Sequence, residues 1–182
     1  MHQRTYVKVL RKECFFYCRF VVILQVMNKL GSVQGAILYK SGPRRSDYLF
    51  RISLKAVIFN DNGEVLVVKE RDRDWWDLPG GGMDHGESIK EALARELNEE
   101  VLLRGDFTFY PAIVEDPKFL TEHNFYQTRI VYVIQPETLS FEVGEDGDEL
   151  SFVNPDTFEN SKRATERKIY DYSKLAADHK LQ

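Results

Sequence analysis

The spacing of apolar and polar residues changes character several times along the chain, and each change marks a predicted element. Residues 125–135 alternate: Tyr126, Thr128, Ile130, Tyr132 and Ile134 interleave with Phe125, Gln127, Arg129, Val131 and Val133, which predicts a strand. Residues 52–59 and 64–69 are rich in β-formers and flank Asn60-Asp61-Asn62-Gly63, and Asn-Gly between two such runs predicts a hairpin. Val65, Leu66, Val67 and Val68 are continuously apolar, as in a strand covered on both faces. At Ser88 the period becomes helical. Ile89, Leu93, Leu97 and Val101 recur four apart with Ala92 beside them, giving one stripe to bury, and Ser88 with Glu91 forms a capping-box pattern at the start. Further strands are predicted at 33–39, at 107–114 (broken by Pro111) and at 150–153, and a helix over 161–177 that packs Ile169, Tyr172 and Leu175/Ala176. The stretch 116–124, with Lys118, Phe119, Glu122 and His123, reads as a loop able to cover a ligand.

Composition narrows the class. A chain of 182 residues with 43% hydrophobic and 30% charged residues suits one soluble domain with a full core. Net charge is −4, but residues 1–30 carry six Lys/Arg against Glu13 alone, so +5 there leaves −9 for the remainder. An acidic body argues against a broad nucleic-acid grip and makes nucleic acid an unfavoured partner. The apolar run at 14–27 is interrupted by Arg19, too short to span a bilayer and not followed by a small-residue cleavage site, so a cytoplasmic protein without membrane attachment is expected. Residues 1–46 read as an extension, either an added strand or helix or sequence upstream of a start at Met27, ahead of a domain over 47–182. If that extension is ordered, Phe15, Phe16, Phe20, Val22 and Leu24 need an apolar surface, such as a homodimer partner. Cys14 and Cys18, with no second pair, make neither a zinc site nor a disulfide framework.

The predicted helix carries its acids in an unfavourable place. Glu96, Glu99 and Glu100 share one face near its C-terminus. Like charges at i, i+4 cost roughly 0.2–0.5 kcal/mol per pair. Acids at that end oppose the macrodipole by about 0.3–1 kcal/mol each. A hard divalent cation converts the repulsion into attraction, because carboxylate oxygens are what Mg²⁺ and Mn²⁺ prefer. Three glutamates alone are more simply a solvated face. The Gly80-Gly81-Gly82 turn with Glu87 and Arg95 at fixed offsets shifts the balance toward a metal site.

Gly81, Glu87, Arg95, Glu96, Leu97, Glu99, Glu100 and Leu103 match the pattern G-x5-E-x7-R-E-U-x-E-E-x-G-U, with U aliphatic, and Trp76-x-Leu78-Pro79-Gly80-Gly81 resembles the usual entry to it. In these residues the chain resembles the Nudix hydrolase family (MutT-like). The resemblance implies an α/β/α sandwich around a mixed β-sheet. It also implies an enzyme that cleaves the pyrophosphate linkage of a nucleoside diphosphate joined to another group, with Mg²⁺ (or Mn²⁺) as cofactor and a small nucleotide as substrate. By the same resemblance Glu96, Glu99, Glu100 and the Gly80 carbonyl are the metal ligands, while Arg95 and Glu87 orient the box glutamates. The general base is Glu96 or a later glutamate, for which Glu149 is the candidate. Trp76 either stacks on a base or packs beneath the glycine loop, and His123 either polarises a substrate oxygen or is an ordinary loop histidine. One box position departs: Leu102 stands where the family has glycine, so the helix is expected to continue to Arg104 and stop at Gly105. Hydrolysis of nucleoside triphosphates or of RNA 5′ ends, and a non-catalytic nucleotide-sensing domain, are the competing readings.

Overall fold

The computed structural model describes residues 36–38, 46–48 and 50–179. Segment 1–30, both cysteines, and the expected N-terminal element and dimer contact lie outside the described residues, as does most of the expected strand at 33–39. The described residues fall into two compact units, one with 36–38, 46–48, 50 and 118–127 and one with 51–117 and 128–179.

In the first unit, β1 (Ala36–Leu38) pairs antiparallel with β2 (Ser46–Tyr48). The stretch expected as a loop instead forms β6 (Lys118–Leu120), which pairs antiparallel with the start of β7 (Phe125–Pro136). The turn closes because the His123 and Asn124 N–H groups both donate to the Leu120 carbonyl, at 3.2 and 2.6 Å, with Asn124 left-handed at φ 56°. Asparagine tolerates that conformation better than most residues.

In the second unit, β3 (Phe50–Val57) lies beside β7, which pairs antiparallel with β5 (Phe107–Val114). The β5 ladder shifts register between Pro111 and Ile113, as expected where a proline has no N–H to give. The tight turn at 60–63 forms, with Gly63 at φ 76°, but the expected hairpin does not extend from it. After one bridge, Phe59 to Val65, β4 (Val65–Glu70) leaves to pair with β8 (Gly147–Val153). The chain at 77–83 takes the vacated edges, bridging Val68 through Asp77 and Ser53 through Gly82. The glycine loop is thereby built into the sheet.

Strand alternation sorts the core into two layers. Leu54, Ala56, Ile58, Leu66 and Val68 pack against Ala92, Leu93, Leu97 and Val101 of α1 (Ile89–Val101). Val57, Val65, Val67, Val131 and Val133 pack on the other face against Phe158 and against Ile169, Tyr172 and Ala176 of α2 (Ala164–His179), while Leu175 stays 49% exposed. This is the α/β/α class expected from the sequence. No helix among the described residues is long and apolar enough to cross a membrane.

The expected extension of α1 to Arg104 does not occur. The helix ends at Val101, and Leu102 itself adopts the left-handed conformation (φ 47°, ψ 42°). Its N–H reaches Asn98 O at 3.2 Å and Leu103 N–H reaches Leu97 O at 3.1 Å, closing the helix by its backbone. Tertiary contacts outweigh the roughly 1–2 kcal/mol of left-handed strain on a leucine. Leu103 turns into the core, and the carbonyls of Glu99, Glu100 and Val101 accept N–H groups from Asp146, Gly144 and Glu142. A side chain at Gly144 would meet the Glu99 carbonyl at 2.1 Å, so this docking needs a glycine.

Candidate active site

The glycine loop is held to β3 by three backbone hydrogen bonds. Ala56 N–H donates to Pro79 O and Leu54 N–H to Gly81 O, both at 2.8 Å, and Met83 N–H to Ile52 O at 3.0 Å. Gly80 needs its freedom, with φ 119° and the position of a side chain already occupied by the Leu54 carbonyl at 2.5 Å. The adjoining helix starts on the expected capping box: Ser88 Oγ accepts the Glu91 N–H at 3.3 Å and Glu91 Oε2 accepts the Ser88 N–H at 2.8 Å.

Arg95 gathers the acids. Its Nε and Nη2 donate to the two oxygens of Glu87 at 2.7 and 3.0 Å, and Nη1 donates to Glu96 Oε1 at 2.8 Å and Glu99 Oε2 at 3.1 Å. Nη2 also donates to the Gly82 carbonyl at 3.0 Å, so all five guanidinium donors are used. The arginine fork and the Asp84 N–H hold the Glu87 carboxyl down at about 2. Glu96 is pushed the other way, because burial outweighs the Arg95 hydrogen bond.

Glu100 is the buried member, 5% exposed, with Oε2 accepting the Gly80 N–H at 2.8 Å. Burial drives its carboxyl up to about 7, against the pull of Lys55 and the Gly80 N–H. Lys55 was not singled out in the sequence. It lies 4% exposed on β3, its Nζ donating to Leu78 O at 2.8 Å and paired with Asp77 Oδ2 at 3.0 Å. Burial alone would lower its pKa, but Asp77, Glu100 and Glu70 together raise it. The available signal was a lysine in register with Val57 inside the apolar run LKAVIF.

The fit to a hard cation can be judged from unused oxygens. Among the described residues, one carboxylate oxygen each of Glu96, Glu99 and Glu100 accepts no hydrogen bond, and neither does the Gly80 carbonyl, whereas those of Pro79 and Gly81 on either side are taken. The oxygen-only donor set is what Mg²⁺ and Mn²⁺ take. Among the described residues no three acid, histidine or cysteine side chains converge on a ready-made metal position. Arg95 draws Glu96 and Glu99 to itself, and Glu100 turns to Gly80.

Neither Glu149 nor Trp76 bonds to this cluster. Glu149 faces Lys69 across the β4–β8 ladder and pairs with it at 2.5 Å, making no hydrogen bond or ion pair with the box glutamates. Lys69 Nζ also covers the Trp76 ring at 4.4 Å, and Trp76 packs against the α2-side core. His123 belongs to the first unit, where its ring stacks on Phe125 at 5.6 Å and 17°.

A family model described as the NUDIX domain matches residues 49–172. An RNA pyrophosphohydrolase of Ruthia magnifica subsp. Calyptogena magnifica is 44% identical over 71 residues, 39% of this chain and 38% of that protein. A putative 8-oxo-dGTP diphosphatase of Bacillus subtilis is 36% identical over 70 residues, 38% of this chain and 47% of that protein. The match thus spans less than half the length of either relative. Among solved structures, a MutT protein from Methanosarcina mazei aligns with a TM-score of 0.54 at 26% identity, over 72% of this chain and 96% of that one. A UDP-X diphosphatase aligns at 0.58 and 19% identity over 98% and 97%, a likeness of fold. With three of the four box glutamates gathered on one arginine and the matched region running from β3 into α2, the chain belongs to the Nudix family.

Proposed function

We propose that the chain hydrolyses the pyrophosphate bond of a nucleoside diphosphate joined to another group, using Mg²⁺ or Mn²⁺. The observation that carries this reading is the set of unused oxygens on Glu96, Glu99, Glu100 and Gly80 around one fully committed arginine. Those four residues would hold the ion, and a bound divalent ion supplies charge neutralisation at the phosphoryl oxygens and a more acidic water. Arg95 and Glu87 act on the glutamates rather than on substrate, fixing two of them at the loop while Lys55 anchors the segment ahead of Gly80. Glu96, half-buried with a raised pKa, is one candidate for the base that takes the proton of the attacking water. Glu149 is the other, and Glu96→Gln compared with Glu149→Gln separates them.

The test is metal-dependent hydrolysis by purified protein of ADP-ribose, dinucleoside polyphosphates, nucleotide sugars, NADH and 8-oxo-dGTP, with Glu100→Gln as control. Turnover should fall by orders of magnitude in the variant with its circular dichroism unchanged. Near wild-type turnover removes the metal assignment. Binding of nucleotide without hydrolysis by the wild type points to a sensing domain instead. A second reading, release of pyrophosphate from triphosphorylated RNA, is supported by the name of the Ruthia magnifica relative, and the same protein assayed on such RNA decides it.

A further inference from the structure

The last three carbonyls of α1 belong to Glu99, Glu100 and Val101, and the helix has no N–H beyond them to serve them. A strap between Phe141 and the start of β8 covers all three. Glu142 N–H donates to Val101 O at 3.2 Å, Gly144 N–H to Glu100 O at 3.0 Å and Asp146 N–H to Glu99 O at 3.0 Å. The backbones approach more closely than a side chain allows: a β-carbon at Gly144 would fall 2.1 Å from the Glu99 carbonyl oxygen and 2.6 Å from its carbon, and one at Gly147 2.7 Å from the Glu100 oxygen. Neither glycine has a positive φ, so each supplies space and not backbone freedom. On its outer side the strap is tied to the end of β4. Arg71 N–H donates to Asp146 O at 2.8 Å, the Arg71 guanidinium donates to Glu145 O, and Asp72 N–H donates to Asp148 Oδ2 at 3.1 Å. Phe141 roots it, packing on the α1-side core with its ring 5.9 Å from that of Phe152. Glu142, Glu145, Asp146 and Asp148 make the strap itself acidic, so charge cannot be what draws it to the acid-bearing end of α1; its N–H groups and its fit do.

We propose that this strap is a positioning element of the cation site, with Gly144 as the residue that seats it and Arg71 as the residue that holds it down. The proposal rests on the metal-dependent reading above and says what fixes two of the four ligands named there. A helix frays over its last turn when its final carbonyls face only water, and Glu99 and Glu100 stand in that turn. The direction in which each carboxylate leaves the helix follows its Cα–Cβ bond, so a fraying turn would hold neither Glu100 against the Gly80 N–H nor Glu99 against Arg95. The strap's three N–H groups also oppose the negative pole of the helix where the acids repel one another most. Arg95 gathers Glu96 and Glu99 from the glycine-loop side, while the strap fixes the backbone behind them. Glu100, which makes no hydrogen bond to Arg95, depends on the strap most.

The experiment titrates Mn²⁺ by electron paramagnetic resonance into wild type, Gly144→Ala, Arg71→Met, Arg71→Lys, Glu145→Gln and Ile169→Val, and follows hydrogen exchange of the Gly80 amide in the metal-free proteins. Gly144→Ala should weaken Mn²⁺ binding about ten- to a hundredfold, as loss of an outer support of metal ligands does. Arg71→Met should weaken it by a smaller factor, and Arg71→Lys should recover part of that loss because one donor is restored. In Gly144→Ala and Arg71→Met the Gly80 N–H, which donates to Glu100, should exchange about tenfold faster or more, while amides of the β5–β7 ladder keep their protection. On any substrate the wild type hydrolyses, kcat should fall by a larger factor than KM changes. Glu145→Gln removes charge from the strap and leaves its backbone, and Ile169→Val loosens the core under α2; both should bind Mn²⁺ as wild type does. A loss in either control equal to that in Gly144→Ala would assign the effect to strap charge or to general destabilisation and overturn the proposal. Unchanged Mn²⁺ binding in folded Gly144→Ala overturns it too. If Gly144→Ala does not fold, Arg71→Met decides by the same two readings. If the wild type binds no Mn²⁺, the metal reading fails and Gly80 exchange decides alone: faster exchange in the variants upholds the positioning of Glu100, and equal exchange ends it.

Discussion

Replacing Glu100 by glutamine should stabilise the metal-free protein above neutral pH while abolishing its activity. In the folded chain burial lifts the Glu100 carboxyl from an ordinary 4.5 to about 7. A raised acid favours its protonated form in the fold, so stability from this group is complete below pH 4.5 and is lost as pH rises through 7. A displacement of this size at about 1.36 kcal/mol per unit makes the ionised carboxylate cost about 3 kcal/mol at pH 8. Glutamine carries no charge to desolvate and its carbonyl oxygen can still accept the Gly80 N–H, so most of that cost should vanish in the variant. Thermal melts in EDTA at pH 8 should place Glu100→Gln several degrees above wild type, at roughly 2–4 °C per kcal/mol for a chain of this size. At pH 4 the two should coincide. Saturating Mn²⁺ at pH 8 should then raise wild type by mass action, about 2.7 kcal/mol at a hundredfold excess over Kd, and leave the variant nearly unmoved. Equal melting at pH 8 without metal, or a gap that persists at pH 4, would refute the account of a carboxylate kept buried for a cation.

Three further substitutions probe the supports of the site. Arg95→Lys keeps the charge but cannot serve five acceptors, so kcat should fall about a hundredfold, in line with losses at outer-shell partners of metal sites, with a smaller change in KM; steady-state kinetics with full activity would sink the orienting role. Lys55→Met leaves Asp77 buried beside an empty partner position and should cost about 3–5 kcal/mol in urea denaturation, whereas a loss under about 1 kcal/mol would mean the pair is solvated. Leu102→Gly releases roughly 1–2 kcal/mol of left-handed strain against about 0.5–1 kcal/mol of added chain entropy, so chemical denaturation should show a small net gain in stability. Marked destabilisation there would mean that leucine packing, not backbone closure, ends the helix.

Much of the molecule is legible one residue at a time. The stripe of α1, its capping box, the alternation of β7 and the register of Glu87, Arg95, Glu96, Glu99 and Glu100 are written within a few residues of where they act. Those periods alone determine which face of α1 is apolar and which carries the acids. The tertiary structure decided the rest, because the deciding partners are far apart in sequence. Leu102 turns left-handed since residues 142–146 dock on the last helical carbonyls and Leu103 has core to fill. The 60–63 hairpin stops after one bridge because the chain at 77–83 takes both strand edges. Lys55 becomes a buried charge only when Asp77 and Leu78 close over it, and Arg51 meets Gly82 only because β3 and the glycine loop run side by side. Local chemistry thus determined which residues could gather a cation. Long-range packing decided how deeply each was buried and which were left without a partner, because solvent exclusion depends on every segment that folds over a group and not on its neighbours in the chain.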